Sequence, residues 1–260
     1  SCLRTLNSSK HGKPRCSSSF GLKQRKQQQI QPASLDVTPR LASIKTNIPV
    51  PVRFICMAVP KRLPIVAYLQ EHIPELEISV DTSGRISDGW LAMLRLAGDE
   101  AVVVVEDDIL LTKNFKAKVL TAIKQKPDDL IQFHSRVKDD AEIGSRYLSG
   151  RSFRNTQCVY YPPGLAQKVY EYARKSKRLL STLNAVDASG TDTCLADYLS
   201  EHKKRYWVSV PSLVDHLPVR SAIDGRRGRH GKFRQARVFQ DPEFLHCPPE
   251  LAQQWNPIIS

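Results

Sequence analysis

The stretch Val102-Val103-Val104-Val105-Glu106-Asp107-Asp108 decides how the chain is read. Four β-branched residues in a row form a buried strand of the kind found inside a parallel sheet. Three consecutive acids end it. Carboxylates crowded at the C-terminal end of a central strand repel one another, and a divalent cation is the simplest offset. Mg²⁺ and Mn²⁺ take oxygen ligands and bridge phosphates. The stretch therefore predicts a metal-diphosphate site, and with it an enzyme acting on a nucleotide-linked substrate.

On either side of this strand the pattern alternates strand and helix. Residues 52–59 read as a first buried strand, and 63–72 as a short helix with Pro64 in its first turn. Residues 76–80 form a second strand ending at Asp81. Ser87 can cap a helix over 88–96, stopped by Gly98. The acidic strand covers 101–105. A helix over 114–124 and a strand over 130–133 follow. This βαβα order predicts an α/β fold: a mostly parallel sheet with helices on both faces. Ligands of such sheets bind beyond the carboxyl ends of the strands, where Asp81 and the acids fall.

The second half is less regular. Residues 134–157 read as a loop carrying Arg136, Arg146, Arg151 and Arg154. A short strand spans 158–161, and Pro162-Pro163-Gly164 leads into a helix reaching about Arg174. Residues 191–201 form another helix and 206–210 a strand. Pro211-Ser212-Leu213-Val214-Asp215-His216 follows. No internal repeat is present.

With 260 residues, 41% hydrophobic and 25% charged, the chain has ordinary globular composition. Its net charge of +13 is not ordinary. Residues 1–47 contribute +8 and residues 217–237 contribute +6, so the remainder carries −1. Residues 1–47, rich in Ser, Gln, Lys and Arg, read as a flexible basic arm. Residues 48–260 read as a single folded domain. Charge concentrated in two segments points to a polyanionic partner, nucleic acid or an anionic membrane, or to a merely solvated arm.

Six widely spaced cysteines without a C-x-x-C pair argue against a zinc ribbon and a disulfide framework, so a reducing compartment fits. Cys56 and Cys158 lie in strand-like runs and read as packing residues. No apolar run is long enough to span a bilayer, and no secretory signal is visible. The chain opens on Ser1 rather than Met, which leaves room for an upstream segment.

Within the triad Asp108 is best placed to bind a metal directly, and Glu106 to bind through water or contact a ribose. The bland alternative is that Asp107 or Asp108 caps the following turn. His216, presented beyond a strand, is a candidate further ligand through its neutral imidazole. A carboxylate/imidazole pair suits Mn²⁺ somewhat better than Mg²⁺. Asp192 lies in Ser189-Gly190-Thr191-Asp192-Thr193 at a helix start, where the helix dipole favours an ionised carboxylate. It reads equally as an N-cap or as the group accepting a hydrogen bond from an attacking hydroxyl.

These residues resemble a family. The run Val-Val-Val-Val-Glu106-Asp107-Asp108-Ile is similar to the acidic D-x-D motif of GT-A-fold glycosyltransferases. Those enzymes have a Rossmann-like nucleotide half, then an acceptor half with a carboxylate near a helix start, and a late His completing the metal site. Asp192 and His216 match those positions in order. The segment from Pro211 to His216, with Ser221 beyond, resembles small phage and bacterial glycosyltransferase-like proteins. Enzymes that glycosylate 5-hydroxymethylpyrimidines in DNA, including the base J glucosyltransferase, are the functional relatives this suggests.

The resemblance covers roughly residues 52–222. It implies a nucleotide-sugar half over 48–135, an acceptor half over 136–216 and a basic C-terminal segment over 217–260. Arg62, Asp81, Trp90, Glu106, Asp107 and Arg220 would contact a UDP-sugar donor, although Trp90 reads equally as core. Asp108 and His216 would hold Mn²⁺ or Mg²⁺, and Asp192 would be catalytic. Glu at the first acidic position departs from the commoner motif and argues against direct metal ligation by Glu106.

The acceptor is read from charge. Arg226, Arg227, Arg229 and Lys232 are placed to track a DNA backbone, and a mobile basic segment to close over the donor. Reaching a base hydroxymethyl group calls for flipping the nucleotide out of the stack. Such an enzyme would work in the cytoplasm of a bacterial or phage-infected cell, or in a nucleus. Two other readings stay open: transfer to a saccharide, lipid or protein, and a non-catalytic nucleic-acid-binding module in which the acids only cap a helix. Aromatic residues are sparse in the basic segments, which gives that module little support.

Overall fold

The computed structural model describes residues 51–176, 179, 190–217 and 235–254. All fall within Asn47–Ser260, the second of the chain's two compact units. In chain order its first half runs β1 (Val52–Ala58), α1 (Leu63–His72), β2 (Glu77–Val80), α2 (Ile86–Ala97), β3 (Ala101–Glu106), β4 (Ile109–Leu111), α3 (Phe115–Gln125) and β5 (Ile131–Gln132). The second half runs α4 (Asp140–Ile143), β6 (Arg146–Ser149), β7 (Cys158–Tyr161), α5 (Leu165–Ala173), α6 (Gly190–Glu201), β8 (Arg205–Val208), β9 (Val214–His216) and α7 (Pro249–Gln254).

Seven strands form the main sheet in the order β2-β1-β3-β7-β5-β8-β6. β2, β1 and β3 are mutually parallel, and β5 and β8 share their direction. β7 and the edge strand β6 run the other way. The sheet is thus mixed and mostly parallel, flanked by helices, and compatible with a Rossmann-like fold.

The valine run is continuous because both faces of β3 are covered. Successive side chains of a strand point to opposite faces. Ala101, Val103 and Val105 pack with Ile65 and Leu69 of α1 and with Phe115 and Val119 of α3. Val102 and Val104 pack on the other face with Trp90 and Met93 of α2, Val169 of α5 and Leu195 of α6. Cys56 and Cys158 are free thiols buried in the first of these layers.

Several sequence expectations are corrected. Ser87 lies inside α2, whose N-cap is Arg85 and carries no side-chain cap bond. Gly98 does end that helix, at φ 56. Residues 134–157 are not simply a loop: they contain α4, β6 and a 3-10 turn at Gly150–Ser152. β6 was hidden because its four residues, Arg-Tyr-Leu-Ser, are all at least partly exposed at the sheet edge and carry no apolar run. The segment 211–216 is half strand. β9 pairs antiparallel with β4, setting His216 opposite Ile109, and the two form a small second sheet.

β1, β2, β3, β5 and β8 all end at the edge where β7 begins. Arg62, Asp81, the acids and residues 155–157 therefore gather at one edge. Among the described residues no helix is long and apolar enough to cross a membrane.

Candidate functional site

Glu106 closes β3, and Asp107 and Asp108 form the turn into β4. Asp107 is 4% exposed and fully engaged: its Oδ2 accepts the Val59 N–H at 2.7 Å and its Oδ1 accepts from Arg62 at 2.7 Å. The same Arg62 nitrogen reaches Asp108 Oδ2 at 2.7 Å. Burial works against the Arg62 charge, but Asp108 and Asp107 outweigh it and hold the guanidinium protonated. Arg62 sits between the two carboxylates and offsets their repulsion.

His216 reaches the same carboxylate from the second sheet. Its Nδ1 lies 2.6 Å from the Leu217 carbonyl, which assigns the ring proton to Nδ1. Its Nε2 then faces Asp108 Oδ2 at 3.2 Å. Two lone pairs aimed at each other are stable only with a proton or a cation shared between them. A histidine that gives its other N–H to a backbone carbonyl is oriented as metal-ligating histidines are. A proton shared with His216 satisfies the pair; a carboxylate and an imidazole are also donor types that could hold a divalent cation, which would compete with Arg62 for Asp108 Oδ2. Among the described residues no three His, Cys, Asp or Glu side chains converge on one metal position, so a cation there would take its further ligands from substrate or water. Neighbouring Asp215 is structural: its Oδ1 accepts the His216 and Ala236 N–H groups at 2.8 and 2.6 Å.

Asp192 is in the first turn of α6, and its side chain meets the segment that precedes β7. Oδ2 accepts the Asn155 N–H at 2.9 Å, and Oδ1 lies 3.0 Å from Thr156 Oγ1. That hydroxyl is also 2.7 Å from Glu106 Oε1. One hydroxyl proton cannot serve two carboxylates. A protonated Glu106 resolves the conflict by donating to Thr156 while Thr156 donates to Asp192. Burial, with the charges of Asp108 and Asp192 behind it, pushes the Glu106 carboxyl up to about 8 against the opposing pull of Thr156 and His216. Glu106 is thus tied to Asp192 rather than to Arg62.

Asp81 stands at the end of β2, its N–H bonded to Ala58 O at 2.7 Å and its carboxylate accepting from Ser83 N and Oγ at 2.8 and 2.6 Å. Gly89 of α2 allows this approach, since a Cβ there would come within 2.9 Å of Asp81 Cβ. Of its two readings Trp90 takes the core one: at 1% exposure it packs with Met93 and Leu94 between α2 and the sheet. Arg220, Arg226, Arg227, Arg229 and Lys232 lie outside the described residues. The residues flanking that basic stretch are fixed at the site: Leu217 N–H donates to Asp108 O at 2.8 Å, and Ala236 N–H to Asp215.

Asn155 and Thr156 escaped the sequence reading. Their only trace was a short polar Asn-Thr-Gln run just ahead of the apolar strand at 158. No protein-family model matches the chain, and no curated protein matches it.

Proposed function

We propose that the chain is a metal-dependent glycosyltransferase of the GT-A type. It moves a sugar from a nucleoside-diphosphate donor, a UDP-sugar, to the hydroxyl of a 5-hydroxymethylpyrimidine base in DNA. The observation that carries the reading is the junction of Asp108 with His216 at a sheet edge that also carries Asp192. An acidic strand end alone marks a phosphate site. An added imidazole ligand and a carboxylate reached through Thr156 and Glu106 make it a site for transfer.

Asp108 and His216 would hold Mn²⁺ or Mg²⁺, which when bound supplies Lewis-acid stabilisation of the diphosphate leaving group. The chain's own groups do the rest. Arg62 holds the Asp107 and Asp108 carboxylates together and keeps Asp108 in place. Asp81 is placed for the ribose or base of the donor. The bond from the sugar C1 to the diphosphate breaks, with its electron pair going to the diphosphate oxygen. The acceptor oxygen bonds to C1, and its proton passes to Asp192.

A DNA acceptor is supported by the positive charge of residues 1–47 and 217–237. One observation favours a second acceptor class. A cleft of about 370 Å³ along α6 is lined by Arg151, Arg154, Thr193, Ala196, Asp197, Ser200 and Glu201. Its charges balance and its hydroxyls are plentiful, which suits a neutral saccharide. Incubation of a panel of sugar nucleotides with hydroxymethylated DNA, unmodified DNA or free oligosaccharides as acceptor, read by mass spectrometry of the nucleosides and of the glycans, separates the two. Glycosylated hydroxymethylpyrimidine is the expected product. Transfer to saccharides with none to DNA would establish the second reading, and no transfer at all would remove both.

A further inference from the structure

Gln132 is a polar side chain buried in the sheet, 3% exposed, and the transfer chemistry gives it no task. Its Nε2 donates to the carbonyls of Arg154 and Asn155, the latter at 3.1 Å. These bonds fix the turn that precedes β7. Asn155 there takes φ 75, a left-handed conformation that Asn tolerates better than most residues. From this turn the Asn155 N–H reaches one oxygen of Asp192 at 2.9 Å, and the Thr156 hydroxyl reaches the other at 3.0 Å. A carboxylate with one donor still rotates about its last torsion. One gripped at both oxygens from a single turn does not, and the turn is itself held from β5.

We propose that Thr156, seated by Gln132 and Asn155, is the positioning residue that fixes the direction of the Asp192 carboxylate and ties it to Glu106. The inference rests on the reading of Asp192 as proton acceptor in the transfer. Thr156 touches neither substrate nor cation in this scheme. It acts by holding Asp192 where an acceptor hydroxyl meets it, and misplacement by about 1 Å costs on the order of 100-fold in rate.

The test compares Thr156→Val, which keeps the shape and removes the hydroxyl, with Thr156→Ser, which restores it. Two readouts are taken on the full chain: kcat and donor KM for transfer, and hydrogen exchange of the Asn155 amide by NMR. Thr156→Val is expected to lose roughly 10- to 100-fold in kcat with donor KM unchanged, and to speed Asn155 exchange as Asp192 swings away. Thr156→Ser is expected to recover both. An active Thr156→Val enzyme with wild-type kcat, or unchanged Asn155 protection, would overturn the inference. If the wild type transfers no sugar to any acceptor, the glycosyltransferase reading fails. The exchange measurement then decides alone whether Thr156 holds Asp192.

Discussion

Asp107 and Asp108 are neighbours with different tasks. Both oxygens of Asp107 serve the fold, holding the exit of β1 through Val59 and the side chain of Arg62. Asp108 shares Arg62 but also faces His216. Asp107→Ala leaves a buried N–H and a guanidinium short of an acceptor, and is expected to cost about 1–3 kcal/mol in urea unfolding. Glu106 gives a pH signature. Burial, with the Asp108 charge behind it, pushes its carboxyl in the folded state up to about 8 from an ordinary 4.5. Between those values the folded protein keeps a proton that the unfolded chain has released, so stability falls as pH rises through that window. In metal-free protein Glu106→Gln should flatten that decline in thermal melts. A slope unchanged by that substitution would place the proton elsewhere. Asp108 is marked in the sequence by the valine run before it and His216 by the strand-like segment and Pro211-Ser212 turn before it, but their closeness is not. Thr156 carries no such mark, because a hydroxyl in a short polar turn looks like any other until its two carboxylate neighbours are known.

At the scale of elements, what was legible depended on apolar runs. β1, α1, β3 and β7 stand out because each buries a continuous or periodic set of side chains. The antiparallel direction of β7 was not legible, since a four-residue run buried on both faces carries no mark of direction. Nor was the pairing of β4 with β9, three-residue strands about a hundred positions apart whose register shows only in the folded chain. That pairing matters most for the candidate site, because it delivers His216 to Asp108. Close packing elsewhere is equally unannounced. Gly150 lies under α6, and a Cβ there would meet the Leu199 side chain and approach Lys204 O and the Leu199 carbonyl carbon at 2.8 Å. Backbone cannot yield cheaply, so Gly150→Ala is expected to destabilise by about 1–3 kcal/mol, read from the shift of the unfolding midpoint. A neutral result would mean that the turn at Gly150–Ser152 moves freely against α6.

For the whole molecule, charge and chemistry are separated along the chain. The sheet and its acidic edge belong to the near-neutral stretch, while the excess positive charge lies in residues 1–47 and 217–237. The second of these departs from Leu217 and returns at Ala236, both bonded to site residues. Neutralising Arg226, Arg227 and Arg229 together should weaken DNA binding and lower the slope of log K against log salt by up to about 2.7, at roughly 0.9 per lost phosphate contact. An unchanged slope would leave DNA to residues 1–47 or exclude it as acceptor. Beneath the question of the acceptor lies the claim that Asp108 and His216 make a metal-dependent nucleotide site. Calorimetric titration of UDP into the full chain, with and without Mn²⁺, tests it most directly when repeated with Asp108→Ala. The expected result is UDP binding that requires Mn²⁺ and disappears in the variant. UDP binding indifferent to both Mn²⁺ and Asp108, or no UDP binding at all, would contradict it.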